Sequence, residues 1–372
     1  MAAPKSHNKK KARTKILGRV GASRGRGRAH PKRVKKAGSH IELERFEGNP
    51  IIEPSAATWE SKATFNPSAL YGDGKVHLIY RAIGENDVSV FGYANSADGL
   101  SFNRRSKHPA FFQAAPSGPR SNLQIPYSSG GGWNGGSEDP RLTRMGEMVY
   151  MLYTSFDGWG SIRIALTSIS FDDFVNERWN WKTPVFISPP GEVHKNWVLF
   201  PEKINGKYAI LHGISPRILI DYVDDLEEFD GKKYIRSFNP NGPRSTDSWD
   251  GWLRGVGPAP IKTKEGWLVL YHAMDLRDPN RYKLGAMLLD LTEPEKILFQ
   301  SSQPILEPDE HYENYGYKSG VIYSCGAVVV DGWLFVYYGG ADKVACVATA
   351  KLGPFLEELT QGTAKLKRRA KK

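Results

Sequence analysis

The chain has 372 residues, 40% hydrophobic and 24% charged, with Cys325 and Cys346 as its two thiols. This excludes a disulfide scaffold and a multi-cysteine zinc site, and the absence of any 18-residue apolar run excludes a membrane-spanning helix. The net charge of +11 is unevenly spread: residues 1–40 hold 14 Lys or Arg and residues 365–372 hold six, without acids, so 41–364 carry 31 cations against 40 acids.

In chain order, residues 1–40 come first, with Lys9-Lys10-Lys11 and Arg24-Gly25-Arg26-Gly27-Arg28. Such runs bury no apolar area and predict a disordered tail. Its basic start lacks the apolar stretch of a secretory signal. Binding of a polyanion by counterion release is expected of this tail and of its basic C-terminal counterpart, 359–372, but not of the folded part. A merely solvated tail is the equal alternative.

A repeat then begins. Gly74–Arg81, Gly146–Thr154, Gly206–Gly213, Gly266–His272 and Gly332–Tyr338 each start with Gly and alternate apolar residues toward an aromatic or His. Counting Tyr80, Tyr153, His212, Tyr271 and Tyr337 as equivalent, the steps are 73, 59, 59 and 66 residues. Each copy follows a Pro- or Gly-containing segment: Phe65–Ser68, Glu138–Arg141, Leu199–Lys203, Gly257–Pro260 and Ser324–Ala327. Each precedes another alternating run: Val90–Ala94, Ile162–Leu166, Ile218–Tyr222, Lys283–Met287 and Val344–Ala348. Period-2 alternation rich in Tyr, Val, Ile and Trp predicts strands, and the Gly before each middle strand predicts hairpin turns.

Five units of three or more strands predict an all-β chain, a five-bladed β-propeller over 41–358 flanked by disordered basic tails. Residues 41–55 are expected to add a strand to the last blade. Two sandwich domains fit less well, because the period never breaks.

In a propeller the segments opening each unit line the centre. They bring Asn66, Glu138, Asp139, Arg141, Glu202, Lys203 and Arg254, with Arg81, His212, His272 and Tyr338 at the matching ends of the middle strands. No zinc-binding His pair, phosphate loop or nucleophile elbow is present. Several cations mix with a few carboxylates; nothing marks a nucleophile, an acid among the cations stays ionised unless burial and a bound anion offset them, and no metal or organic cofactor is implied.

Gly136-Ser137-Glu138-Asp139-Pro140-Arg141, Leu199-Phe200-Pro201-Glu202-Lys203, Gly257-Pro258-Ala259-Pro260 and Tyr337-Tyr338-Gly339-Gly340-Ala341-Asp342 together resemble glycoside hydrolase family 130. Asn66-Pro67, Tyr80-Arg81, Ser96–Gly99 and Cys325-Gly326 add to the resemblance, which spans about 45–352. It implies a five-bladed propeller and a β-mannoside phosphorylase or β-mannosidase. Inorganic phosphate, as co-substrate, would attack a terminal β-mannosyl unit with inversion to give α-mannose 1-phosphate. Asp139 would be the general acid. Arg81, Lys203, His272 and Tyr338, then Arg141 and Lys195, would hold phosphate. Asn66, Asp98, Glu138 and Asp342 would meet sugar hydroxyls, and Trp133, Trp159 and Trp197 would stack on sugar faces.

The chain departs from the family pattern at His212-Gly213, where a His-Arg pair is usual, at Tyr323-Ser324, and at Asp342-Lys343. The lost Arg keeps inverting hydrolysis open, with Glu202 as the base. A non-catalytic carbohydrate-binding propeller is the remaining alternative. Two thiols without an export signal imply a cytoplasmic location. Linkage and leaving sugar depend on loops such as 112–136 and 235–254.

Overall fold

The structure is a computed structural model that describes residues 41–113, 132–158, 161–237, 245 and 247–369, with side chains as far as Gln361. The expectations for residues 1–40 and Trp159, and for much of the loop 112–136, lie outside the described residues.

The fold is mostly β-sheet, and the repeat read from the sequence corresponds to five antiparallel units. Their opening strands are Ala63–Gly72, Gly136–Met145, Val198–Leu199, Trp252–Val256 and Ile322–Val330. Their middle strands are Lys75–Ile83, Met148–Phe156, Tyr208–Gly213, Trp267–Asp275 and Trp333–Gly340. Their third strands are Ser89–Ser96, Ile162–Ser170, Leu219–Val223, Asp278–Leu289 and Val344–Lys351. One parallel pairing, Ser89 with Gly136, joins the first two units edge to edge. The hairpins Asp73-Gly74, Asn205-Gly206 and Asp331-Gly332 have positive φ at both residues. That is the tight turn whose twist matches the flanking strands.

The middle strands are buried on both faces, and alternate residues pack in opposite directions. Ile79 joins Phe91, Met151 and Tyr153 in a core between units one and two. Leu152 and Ile164 meet Trp197 and Ile210 between two and three. Leu211 meets Val269 and Tyr271 between three and four, and Leu270 meets Val336 and Tyr338 between four and five. Leu78 and Tyr80 then meet Val328, Tyr337 and Val347, so the fifth unit also packs on the first. Each face buries several Leu, Ile, Val and Tyr side chains, worth roughly 1.5–3 kcal/mol apiece for the aliphatic ones.

The segment 41–55 does add a strand to the last unit: Glu44 pairs with Thr349 and Arg45 with Ala348. Arg45 also donates to both oxygens of buried Glu313. The boundary expected at 358 falls inside a helix, Leu352–Arg369, because Phe355, Leu356 and Leu359 are buried in the last core. No helix among the described residues is long and apolar enough to cross a membrane.

Candidate active site

The opening strands lose register at corresponding places. Phe65 pairs with Arg81 but Ser68 with Ile79, and Glu138 pairs with Thr154 but Arg141 with Leu152. The extra residues are Asn66-Pro67 and Asp139-Pro140, and Asn66 and Asp139 take φ of 48° and 52°. Arg254 and Cys325 are bulged out likewise in units four and five. A bulge leaves its extra residue unpaired and re-aims its side chain. Left-handed φ at non-glycine residues is costly and collects at functional sites.

The bulges of units one and two meet. Asn66 Nδ2 donates to Asp139 Oδ1 at 2.9 Å. Arg81 approaches the same oxygen at 3.5 Å and pairs with Glu138 Oε1 at 2.8 Å, while its Nε donates to Ser89. Lys195 holds the other Glu138 oxygen at 3.1 Å. Glu138 is fully buried, and loss of water pushes its carboxyl up to about 8 despite Arg81. The same desolvation pulls Lys195 well below the ordinary lysine value. Asp342, buried with φ of 53°, is pushed up to about 6 by burial, against the attraction of Lys318 and Arg81.

Arg141 organises the other side. Its Nε donates to the Gly257 carbonyl, Nη1 to the Asp139 carbonyl, and Nη2 to Asn196 and Tyr323. Four of its five N–H groups go to the protein, so it fixes the backbone of the Asp139 bulge. Asn196, with φ of 64°, donates on to the Arg254 carbonyl. Tyr323 stacks face to face on His272, centroids 4.2 Å apart.

A cavity of about 580 Å³ lies beside Arg254, Trp252, Tyr282, Arg281 and Lys318, and among the described residues no carboxylate lines it. Arg254 Nε donates to the Tyr282 hydroxyl, and its guanidinium lies over Trp252. This is an electropositive pocket with aromatic walls, and Lys318 in its lining attracts the buried Asp342.

Of the residues expected in the site, Asn66, Arg81, Glu138, Asp139, Arg141, Lys195 and Asp342 come together. Lys203 and Glu202 do not. Lys203 is exposed over Tyr208, and Glu202 is exposed against Lys262. The segment Leu199–Lys203, which the sequence marks as opening the third unit, carries both side chains away from the site. Val198 and Leu199 already pair with Leu211 and Ile210, so Lys195 and Asn196 hold the site-facing positions. Tyr338 points into the core between units four and five, donating to Glu313. It is Tyr338, not Tyr337, that faces the preceding unit as Tyr80 does, and a slip of one residue exchanges the faces of a strand.

His272 is in place but is not a cation. Its Nε2 accepts from the Ser324 backbone N–H, and burial pulls it down to about 3. His212 pairs with Asp221 beside Trp197. Asp98 caps its own turn, accepting from Ser96, Leu100 and Ser101, because an Asp-Gly turn competes successfully for its carboxylate. Trp197 is core, whereas Trp133 is 54% exposed.

The family model for glycoside hydrolase family 130, described as β-1,4-mannooligosaccharide phosphorylase, matches residues 39–360. The chain belongs to that family. A 1,2-β-oligomannan phosphorylase of a Thermoanaerobacter species is 39% identical over 84% of this chain and 98% of its own length. A β-1,2-mannobiose phosphorylase of the same organism is 37% identical over 82% and 96%. The solved β-1,2-mannobiose phosphorylase from Listeria innocua, in complex with β-1,2-mannobiose, superposes with a TM-score of 0.62 at 25% identity, covering 85% of this chain and 99% of its own.

Against the family 130 pattern, the residues missed from sequence are Asn196, Tyr323, Lys318 and Ser89. Tyr323 belongs to the departure from the family pattern at Tyr323-Ser324, and its hydroxyl is what reaches Asn196 and Arg141. The sequence signal was that departure itself, a new polar atom in a motif of apolar ones.

Proposed function

We propose that this protein is an inverting β-mannoside phosphorylase for β-1,2-linked mannosides, built as a five-bladed β-propeller with Asp139 as the general acid. The propeller reading is supported by five cores that link each unit to the next and the last to the first. The linkage is supported by the named activities of the two relatives at 39% and 37% identity.

The reading of the reaction is supported by a buried aspartate gripped by Asn66 and Arg81, and by a cation-lined cavity whose Lys318 attracts the neighbouring acid Asp342. A phosphate oxygen attacks the anomeric carbon and the glycosidic C–O bond breaks. Asp139 supplies the proton to the departing oxygen, directly or through a sugar hydroxyl. Phosphate is nucleophilic without a general base, so one carboxyl suffices. Arg254 and Lys318, with Lys195 and Arg81, balance its charge in a site that also holds Glu138 and Asp342. His272 serves as a neutral donor through Nδ1, its proton placed there because Nε2 accepts. Asn66 and Asp342 meet the sugar hydroxyls, and exposed Trp133 stacks at the entrance.

Inverting hydrolysis needs a second carboxylate about 6.5–9.5 Å from the acid, and Glu202, the residue expected to provide it, lies on the surface. Incubating the protein with β-1,2-mannobiose, with and without phosphate, tests the proposal. α-Mannose 1-phosphate formed only with phosphate is expected. Free mannose in both buffers would make it a hydrolase, and no turnover a binding protein. Two buried free thiols support a reducing, cytoplasmic setting. The basic tails are proposed to hold polyanions, which removal of residues 1–37 would weaken on a heparin column.

A further inference from the structure

Lys318 comes to the cation-lined cavity from a segment that belongs to no strand of the repeat. Residues 309–321 lie between the fourth unit's last strand, Ile297–Gln300, and the fifth unit's opening strand, and contain the short helix His311–Asn314. Their backbone is bonded on both sides of the cavity. Lys318 N donates to the Ala341 carbonyl and Ala341 N to the Val321 carbonyl, beside Asp342. Tyr282 N, from the cavity wall, donates to the Gly320 carbonyl. Gly316 packs so closely here that a Cβ would lie 2.3 Å from the Ala341 oxygen.

At the root of this segment stands Glu313, fully buried. Its carbonyl accepts from Gly320 N and Val321 N, both at 3.1 Å. Its carboxylate accepts from the backbone N–H of Asp309 and Glu310, at 2.8 and 3.0 Å, and from the Tyr338 hydroxyl at 2.8 Å. The remaining donor comes from the start of the folded body. Arg45, 268 positions away, forks onto both carboxylate oxygens at 2.8 and 2.9 Å, and its Nη2 also reaches the Glu307 carbonyl. Such a fork fixes orientation as well as distance. A buried ion pair is a poor source of stability, since apolar side chains of similar volume often serve as well. What it supplies is one geometry for Glu313, which is bonded to both ends of the segment carrying Lys318.

A clamp of the same make-up stands in the first unit. Buried Glu60 accepts from the Tyr80 hydroxyl at 2.7 Å and pairs with Arg105 at 2.7 Å. Its segment carries none of the residues gathered in the site, so it is a built-in control.

From this we infer that Arg45 and Glu313 are positioning residues: the strand that opens the folded body sets the place of Lys318 in the anion pocket. The inference rests on the phosphorylase reading of that site. Neither residue touches substrate; each acts through the backbone that presents the lysine.

The test follows phosphorolysis of β-1,2-mannobiose with phosphate and disaccharide varied in turn. Lys318→Met is expected to raise the phosphate KM about tenfold, the value of one charge-assisted hydrogen bond. Arg45→Met is expected to raise it about fivefold through misplacement of that group, with the disaccharide KM within about twofold of wild type. Arg45→Lys should recover part of the loss. In a Lys318→Met background, Arg45→Met should add nothing to the phosphate KM. Arg105→Met, which strands Glu60, should lower the urea midpoint comparably and leave the phosphate KM unchanged. If Arg45→Met folds poorly, Tyr338→Phe, which removes one bond from Glu313 at nearly constant volume, should shift the phosphate KM in the same direction. A folded Arg45→Met or Tyr338→Phe with the wild-type phosphate KM overturns the inference and leaves phosphorolysis standing. So do effects that add in the double variant, or an equal shift in Arg105→Met. Absence of mannose 1-phosphate from the wild type overturns the phosphorylase reading itself.

Discussion

Asn66 and Asp139, 73 positions apart, lie in matching bulges of successive units and share a hydrogen bond of 2.9 Å. Both residues have left-handed backbones, so the bond ties two strained points together. Asp139→Asn keeps the size and an acceptor for Asn66 but has no proton to give. A general acid is worth about 10²–10⁴-fold, and kcat is expected to fall by that much while the folded signal is unchanged. A substrate with a weakly basic leaving group, such as a p-nitrophenyl β-mannoside, should recover most of the loss. A variant within threefold of wild type on natural substrate would remove Asp139 from the role.

Arg81 compensates two buried acids at once, Glu138 and Asp139. Removing one partner of a buried pair costs about 3–5 kcal/mol, because the other charge is stranded. Arg81→Met is therefore expected to lower the urea midpoint strongly. Adding Glu138→Gln should return part of that loss, a coupling that a double-mutant cycle reads directly. Strictly additive losses would mean that Lys195 alone carries Glu138.

Stability should respond to acid through His272. The folded state pulls this imidazole down to about 3, against about 6.5 in an unfolded chain. Between those values the unfolded chain binds the extra proton, so stability falls as pH falls, by up to about 1.4 kcal/mol per pH unit. Asp342 has the opposite sign: its carboxyl is raised to about 6, so the folded chain holds the extra proton between about pH 4 and 6, and its contribution shrinks as pH rises. Urea midpoints for wild type and His272→Gln from pH 4 to 7 should differ most in slope below pH 6. Parallel curves would contradict the assignment.

Both cysteines should be silent in the native protein. Burial pushes the Cys325 thiol up to about 12 and Cys346 well above the ordinary thiol value, and neither is accessible. An aromatic disulfide reagent at pH 8 is expected to react with no thiol until denaturant is added, and then with two per chain. Fast labelling of Cys325 under native conditions would mean that the floor of the site opens.

The strands were legible in the sequence because alternation and Asp-Gly or Asn-Gly turns are local signals. So were Asn66, Arg81, Glu138 and Asp139, which sit in recognisable motifs; Lys195 lies outside them. What failed was register. The third unit's opening strand pairs over only Val198-Leu199, too short for its phase to be read, and Pro201 drew Glu202 and Lys203 inward when they face solvent. One residue of slip similarly assigned Tyr338 to the anion when it belongs to the core. Asn196 escaped notice because a left-handed backbone is invisible in a letter, and Lys318 because it comes from a loop outside the repeat.

Glu44 and Arg45, near the start of the folded body, complete a sheet whose remaining strands are synthesised after the other four units. Until Val344–Lys351 emerges, those residues have no neighbour to bond, and the flank of the first unit lined by Leu78 and Tyr80 stays wet. Sealing of the fifth unit against the first is therefore a late event in synthesis. A nascent polypeptide stalled before residue 344 would carry an unsealed apolar flank, a natural target for chaperones and proteases.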